Sequence, residues 1–171
     1  MESLNAPVPP AVERLAADLA PALSGLKRRE DLSLLVKRFE TPDPGTEKRA
    51  RRALRGAEPC AARTAELGVF ADPPTGPAPV VYLAVESPGL RAVHERLCAA
   101  FDTVPGLEGD GYVPHVTLAR GADAAFGTDA PREVAARLEG RAVGPVTWTV
   151  DELYFRDVTY GEPTGTVSLP A

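Results

Sequence analysis

Cysteine is nearly missing: Cys60 and Cys98 are the only two in 171 residues, too few for a disulfide framework and without metal-ligand spacing. Histidine is as scarce, with only His94 and His115, and two histidines in different elements beside two distant cysteines cannot build a zinc site. Lysine is confined to Lys27, Lys37 and Lys48, so arginine carries nearly all the positive charge. No apolar run approaches the ~20 residues that a bilayer-spanning helix needs. Met1-Glu2-Ser3-Leu4 has neither the basic nor the apolar region of a signal peptide. The expectation is a cytoplasmic protein with no membrane association. A net charge of -5 gives no bulk attraction to nucleic acid, so an anionic ligand must meet a local positive patch. Gly106, Gly109 and Gly111 precede a strand instead of joining a strand to a helix, which excludes a dinucleotide or P-loop reading. No cofactor and no metal are expected.

What is present is one concentrated motif, Tyr112-Val113-Pro114-His115-Val116-Thr117-Leu118-Ala119-Arg120. In a strand alternate side chains share a face, so His115 and Thr117 point together while Val116 and Leu118 pack behind them. An imidazole, a hydroxyl and a guanidinium on one extended segment suit a phosphate. Position 120 falls out of that alternation, so Arg120 reaches the same face only through a bend or bulge. Phosphodiester chemistry usually needs two proton-transfer groups, which raises the question of a partner.

The element pattern is α+β. Strands are expected at Ser3 to Val8, Asp31 to Phe39, Ala62 to Phe70, Val80 to Ser87, His115 to Arg120, Val146 to Phe155 and Gly165 to Leu169. Helices are expected from Pro10, over Thr46 to Leu54, from Pro88 to Phe101 and from Pro131 to Gly140. The chain suits one domain with internal halves of roughly 1–78 and 79–171. Glu13-Arg14-Leu15-Ala16-Ala17 matches Glu95-Arg96-Leu97-Cys98-Ala99 at an offset of 82, Leu54-Arg55-Gly56 matches Leu138-Glu139-Gly140 at 84, and Glu66-Leu67 matches Glu152-Leu153 at 86. Matches in order at nearly constant offset, within segments of one expected type, point to an internal duplication.

An offset of 84 carries His115-Val116-Thr117 back to Asp31-Leu32-Ser33. Halves related by a two-fold-like axis would aim Asp31, Ser33, His115 and Thr117 into one cleft. Arg120, and Lys37 and Arg38 at the end of the other strand, are substrate-positioning candidates, although the two latter could equally be solvated strand ends. His94 reads as a structural helix residue. The basic helix carrying Lys48, Arg49, Arg51, Arg52 and Arg55 reads either as a solvated face or as an RNA footprint.

On these residues the chain resembles the two-histidine (2H) phosphoesterase superfamily, which includes the RNA 2',3'-cyclic phosphodiesterases also called 2'-5' RNA ligases. That group carries two H-x-[ST]-apolar segments about half a protein apart; this chain keeps one and offers an aspartate-led version of the other. The resemblance implies two antiparallel sheets around a central cleft with flanking helices. It also implies metal-independent acid/base chemistry on RNA termini or small cyclic nucleotides by a protein expected to be a monomer. By matching position His115, Thr117 and Ser33 carry over, and Asp31 departs from the pattern. A carboxylate near pKa ~4 accepts a proton at neutral pH but is rarely protonated. Asp31 would therefore be the base and His115 the acid. The alternative is a nucleotide or RNA-end binding protein with its chemistry impaired.

Overall fold

The computed structural model describes residues 1–122 and 130–171. Its strands are β1 (Glu2–Pro7), β2 (Leu26–Arg28), β3 (Ser33–Phe39), β4 (Cys60–Phe70), β5 (Val80–Glu86), β6 (His115–Ala122), β7 (Thr147–Val150), β8 (Glu152–Asp157) and β9 (Pro163–Ser168). The helices are α1 (Pro10–Leu19), α2 (Thr46–Ala53), α3 (Pro88–Cys98) and α4 (Ala130–Leu138). Proline in the first turn opens α1 and α3, and the Ser87 hydroxyl caps α3 by accepting from Leu90 N–H. Among the described residues no helix is long and apolar enough to cross a membrane.

All strand pairings are antiparallel, in the order β7-β4-β5-β6-β3-β1-β8-β9, with β2 added to β6. This is the α+β duplication expected, with one difference in connection. The two four-stranded lobes are not separate sheets: β3 and β6 join them through a single pair, Leu34 with Val116. The segment read as one strand over Val146 to Phe155 is two strands with Asp151 between them. β7 pairs with β4 at one end of the sheet, whereas β8 pairs with β1 in the other lobe. Each half of the sequence thus lends strands to the opposite lobe, because β4 sits beside β5 while β8 and β9 extend β1. β4 and β8 hold equivalent places in the two lobes, in accord with the offset of 86 between Glu66-Leu67 and Glu152-Leu153.

The core lies between the helices and one face of the sheet. Leu34, Val36, Leu83, Val116 and Leu118 are buried there with Leu90, Val93 and Leu97 of α3, and α3 packs on β3 and β4. The opposite face of β3 and β6 is half-buried and lines a cavity of about 620 Å³.

Candidate active site

Two β-bulges set the geometry of this cleft. In β3 the pairing with β1 runs Asn5 with Leu35 and then Leu4 with Lys37, so Val36 is the extra residue. In β6 the pairing with β5 runs Tyr82 with Thr117 and then Val81 with Ala119, so Leu118 is the extra residue. A bulge shifts side-chain alternation by one position. It returns Arg38 and Arg120 to the faces of Leu35 and Thr117, and both arginines line the cleft. That is the bulge Arg120 required.

The matched bulges also fix which residues correspond. Val36 and Leu118 are 82 positions apart, the offset of the Glu13 and Glu95 segments. The burial pattern from Ser33 onward, half-buried then buried and so on, repeats from His115 residue for residue through Phe39 and Gly121. Counted this way, Ser33 is the counterpart of His115, Leu35 of Thr117 and Arg38 of Arg120. The sequence offset of 84, which set Asp31 opposite His115 and Ser33 opposite Thr117, is therefore two residues too long at this strand; Asp31 corresponds to Val113. Asp31 precedes β3 at the cleft mouth, its side chain 82% exposed and 3.7 Å from the Arg156 guanidinium.

His115 lies against the rings of Phe70, at 5.3 Å and nearly perpendicular, and of Tyr82, at 5.0 Å. Tyr82 and Phe70 stack on each other at 4.3 Å. Tyr82 lies over the backbone of Gly68, where a Cβ would collide with the phenol ring. Burial holds the His115 pKa below the ordinary histidine value; the hydrogen bond to Val113 opposes this, and the positive charges of Arg120 and Arg38 add to the lowering. His115 Nδ1 is 2.6 Å from Val113 O. A carbonyl can only accept, so Nδ1 carries the proton in the neutral ring and Nε2 keeps its lone pair. Among the described residues, neither this Nε2 nor the hydroxyls of Ser33 and Thr117 has a hydrogen-bond partner in the protein.

Arginines form the adjoining wall. Arg120 donates to Thr75 O at 2.6 Å, and Arg38 to Thr75 Oγ1 at 3.5 Å. Arg29, which sequence reasoning passed over, joins them: its N–H donates to the carbonyl of the bulge residue Leu118 at 2.8 Å. Burial lowers the Arg120 pKa, with the Arg38 and Arg29 charges adding to it. Arg156 was also missed; it lies level with Arg38, both pairing with Ser3 of the β1 strand between them, and it stands among apolar strand residues, Tyr154-Phe155-Arg156, the one available signal for it.

Lys37 does not join this wall, contrary to its reading as a substrate-binding cation. It is fully buried. Its ammonium donates to Glu108, to Arg38 O at 2.8 Å and to Asp102 O at 2.8 Å, which uses all three of its donors. The same bulge that turns Arg38 outward turns Lys37 inward. Glu108 also accepts from Arg38 N–H at 2.8 Å and Val104 N–H at 2.9 Å, so the pair pins the 102–111 loop to β3.

His94 is structural, as its helix position suggested. Its Nδ1 lies 2.7 Å from Val36 O at the β3 bulge, its Nε2 accepts from Gly109 N–H at 2.9 Å, and its ring stacks on Tyr112 at 3.8 Å. Tyr112 in turn donates to Leu35 O at 2.9 Å. The carbonyl that the bulge frees from the ladder is thereby satisfied. Among the described residues no group of three His, Cys, Asp or Glu could hold a metal.

Comparison with known proteins agrees with this architecture. TT0787 of Thermus thermophilus superposes with a TM-score of 0.68 at 20% identity, covering 98% of this chain and 97% of that one. E. coli LigT complexed with ATP gives 0.65 at 16% identity, over 98% and 96%. Kluyveromyces marxianus Usb1 gives 0.56 at 12% identity, over 99% and 97%. At these identities the likeness is one of fold. No curated protein matches the sequence. The family model described as the 2'-5' RNA ligase superfamily matches residues 8–161, nearly the whole chain with its cleft, and the protein belongs to that superfamily.

Proposed function

We propose that the cleft opens the 2',3'-cyclic phosphate at an RNA end or on a small cyclic nucleotide, with His115 as its single proton-transfer group. The observation that carries this is the 2.6 Å contact of His115 Nδ1 with Val113 O, which leaves Nε2 of this cleft-lining residue as the nitrogen that exchanges a proton. In either role Nε2 is the nitrogen that exchanges the proton, and the lowered pKa of the ring, which favours its neutral form, suits a general base in place of the acid role expected from sequence. Water attacks phosphorus as Nε2 takes its proton, one ring P–O bond breaks, and the leaving oxygen is protonated from solvent or from the imidazolium. Thr117 and Ser33 hydrogen-bond the phosphate oxygens, and Arg38 and Arg120 offset its charge. Ligand-bound relatives of the same fold include LigT with ATP and Usb1 with uridine monophosphate, which accords with a nucleotide in this cleft.

A strained ring suits a site with one imidazole. Serine in the second position cannot protonate a leaving alkoxide near neutral pH, and ring strain reduces the need to do so. A linear 2'-5' linkage lacks that help and is the poorer substrate. The test is incubation with nucleoside 2',3'-cyclic phosphates in the presence of a chelator, which also tests metal independence, beside His115→Ala. Ring opening that vanishes in the variant supports the proposal. The serine opposite His115 also favours a second reading, a nucleotide-end binding protein without turnover. Tight binding of the cyclic phosphate that stays intact through long incubation would establish it.

A further inference from the structure

We propose that Asn5 and Ser3 select the base of the bound nucleotide, and that the base they take is cytosine. The proposal rests on the phosphate reading of the cleft and deepens it to the identity of the nucleoside. Asn5 stands in the middle of β1, paired with Leu35 of β3 and Tyr154 of β8. Asparagine is depleted in strands, and a buried carboxamide costs stability unless its hydrogen bonds are made. Asn5 is only 4% exposed and Ser3 only 5%. Yet among the described residues their side chains make one hydrogen bond, to each other, Asn5 Nδ2 donating to Ser3 Oγ at 2.8 Å. A bond between two residues of one strand ties no other element down, so it does not account for a buried asparagine here. Both residues line the cleft. Among the described residues only Trp148 Nε1 lacks both a partner and contact with solvent. Asn5 Oδ1, unpartnered as well, therefore still reaches open space, and the space beside it is the cavity.

The register sets these groups where the other lobe has its aromatic wall. Asn5 pairs with Leu35 as Tyr82 pairs with Thr117, and Ser3 pairs with Arg38 as Val80 pairs with Arg120. Arg156 pairs with Ser3 as Phe70 pairs with Val80. One lobe thus packs the rings of Tyr82 and Phe70 against His115, and the other offers a carboxamide and a hydroxyl at the matching places. Asn5 is the diagonal neighbour of Ser33, a separation of about 7–8 Å. A phosphate between Ser33 and His115 leaves the width of a ribose before the base meets Asn5. The Ser3 oxygen accepts from Asn5, so its own proton is left to donate. From Ser3 to Asn5 Oδ1 the pair offers a donor, a second donor in the remaining Nδ2–H, and an acceptor. The Watson–Crick edge of cytosine is the complement: O2 and N3 accept, and the N4 amino group donates. Uracil matches only at O2, because its N3–H meets a donor and its O4 meets Oδ1. Guanine opposes all three.

The test compares calorimetric affinities of the 2'-phosphates of cytidine, uridine and guanosine, which need no turnover. In wild type the cytidine nucleotide is expected to bind about tenfold to hundredfold tighter than the uridine one. Asn5→Ala should bring the two together. Asn5→Asp keeps the shape and replaces the amide donor by an acceptor, so it should bind the guanosine nucleotide, with donors at N1 and N2, better than the cytidine one. A merely structural asparagine would not reverse that order, and the reversal is read within one protein even if Asn5→Ala fails to fold. Equal affinities in wild type, or a preference for uridine or guanosine, would overturn this proposal and leave the phosphate cleft standing. A cytidine preference that persists in either variant would overturn it as well. If none of the three nucleotides binds, the phosphate reading of the cleft fails and takes this one with it.

Discussion

His115 Nδ1 sits 2.6 Å from Val113 O, which leaves Nε2 as the basic nitrogen of this cleft-lining ring. Burial, with Arg120 and Arg38, lowers the pKa of this ring. A base must be unprotonated to act, so kcat/KM for a nucleoside 2',3'-cyclic phosphate should rise with pH along a limb whose midpoint lies below the usual histidine value of about 6.5, and then level off through neutrality. His115→Ala should lose about 10² to 10⁴-fold and the limb with it. An enzyme in which His115 served as acid would instead lose activity as pH rises through that value.

Substitution at two neighbouring positions separates the two alignments of the halves. If Ser33 is the counterpart of His115, Ser33→His restores a second imidazole across the phosphate, and turnover should rise by about 10² to 10⁴-fold, the contribution of a positioned acid/base group. Asp31→His places its ring at the exposed mouth beside Arg156 and should leave turnover within a few-fold of wild type. Single-turnover rates on one cyclic nucleotide decide the matter. A gain in Asp31→His with none in Ser33→His would reinstate the offset of 84.

Gly68 supports the wall behind His115 from a distance. A Cβ at this position would collide with the Tyr82 ring, and Tyr82 holds both Phe70 and His115 by ring contact. Gly68→Ala should therefore cost about 1–3 kcal/mol of stability as an overpacking change. It should also open the aromatic wall and move the acid limb of the pH profile up toward the ordinary histidine value. Urea unfolding and the pH profile measure the two effects separately.

Much of this site could be read in the sequence because strand alternation and the His-x-Thr pattern are local. Period two sets His115 and Thr117 on one face, whereas Ser33 is reached through the offset of 84 as the counterpart of Thr117, and the bulges move it opposite His115. The duplication was legible too, since its segment matches survive at 82 and 86. The bulges were not: an extra residue in a ladder has no mark at Val36 or Leu118, and it is a bulge that turns Lys37 inward and Arg120 outward. A lysine one place before an arginine looks the same in sequence whichever of them is buried. Arg29 and Arg156 come from other strands and loops, so their arrival at the cleft depends on tertiary pairing.

The buried Lys37 and Glu108 pair is predicted to act on stability. Breaking one side leaves an uncompensated buried charge, which costs about 3–5 kcal/mol. Glu108→Gln and Lys37→Met should each show a loss of that order in denaturant unfolding. The double variant should recover part of it, because no lone charge remains. Additive losses in the double variant would show that the two groups do not act as a pair.

The His94 clamp gives the fold its own acid sensitivity. His94 donates from Nδ1 to Val36 O and accepts at Nε2 from Gly109 N–H, which is possible only for the neutral ring. Burial lowers its pKa in the folded state, against the weaker upward pull of the Val36 hydrogen bond and Glu108. With the folded pKa below the unfolded one, the stabilising contribution is complete above about pH 6.5 and is lost as pH falls through the folded value. His115 is lowered in the same direction, so the measurement belongs in a His115→Ala background, where one imidazole remains. Chemical unfolding between pH 7.5 and 4.5, read as the difference between His94 and His94→Gln proteins, should show the histidine's advantage shrinking as pH falls. A constant difference across the range would mean that the ring stays neutral without cost. Because the bulge at Val36 sets the facing of Ser33 and Arg38, the same acid step should weaken binding of adenosine 2'-phosphate before the chain unfolds.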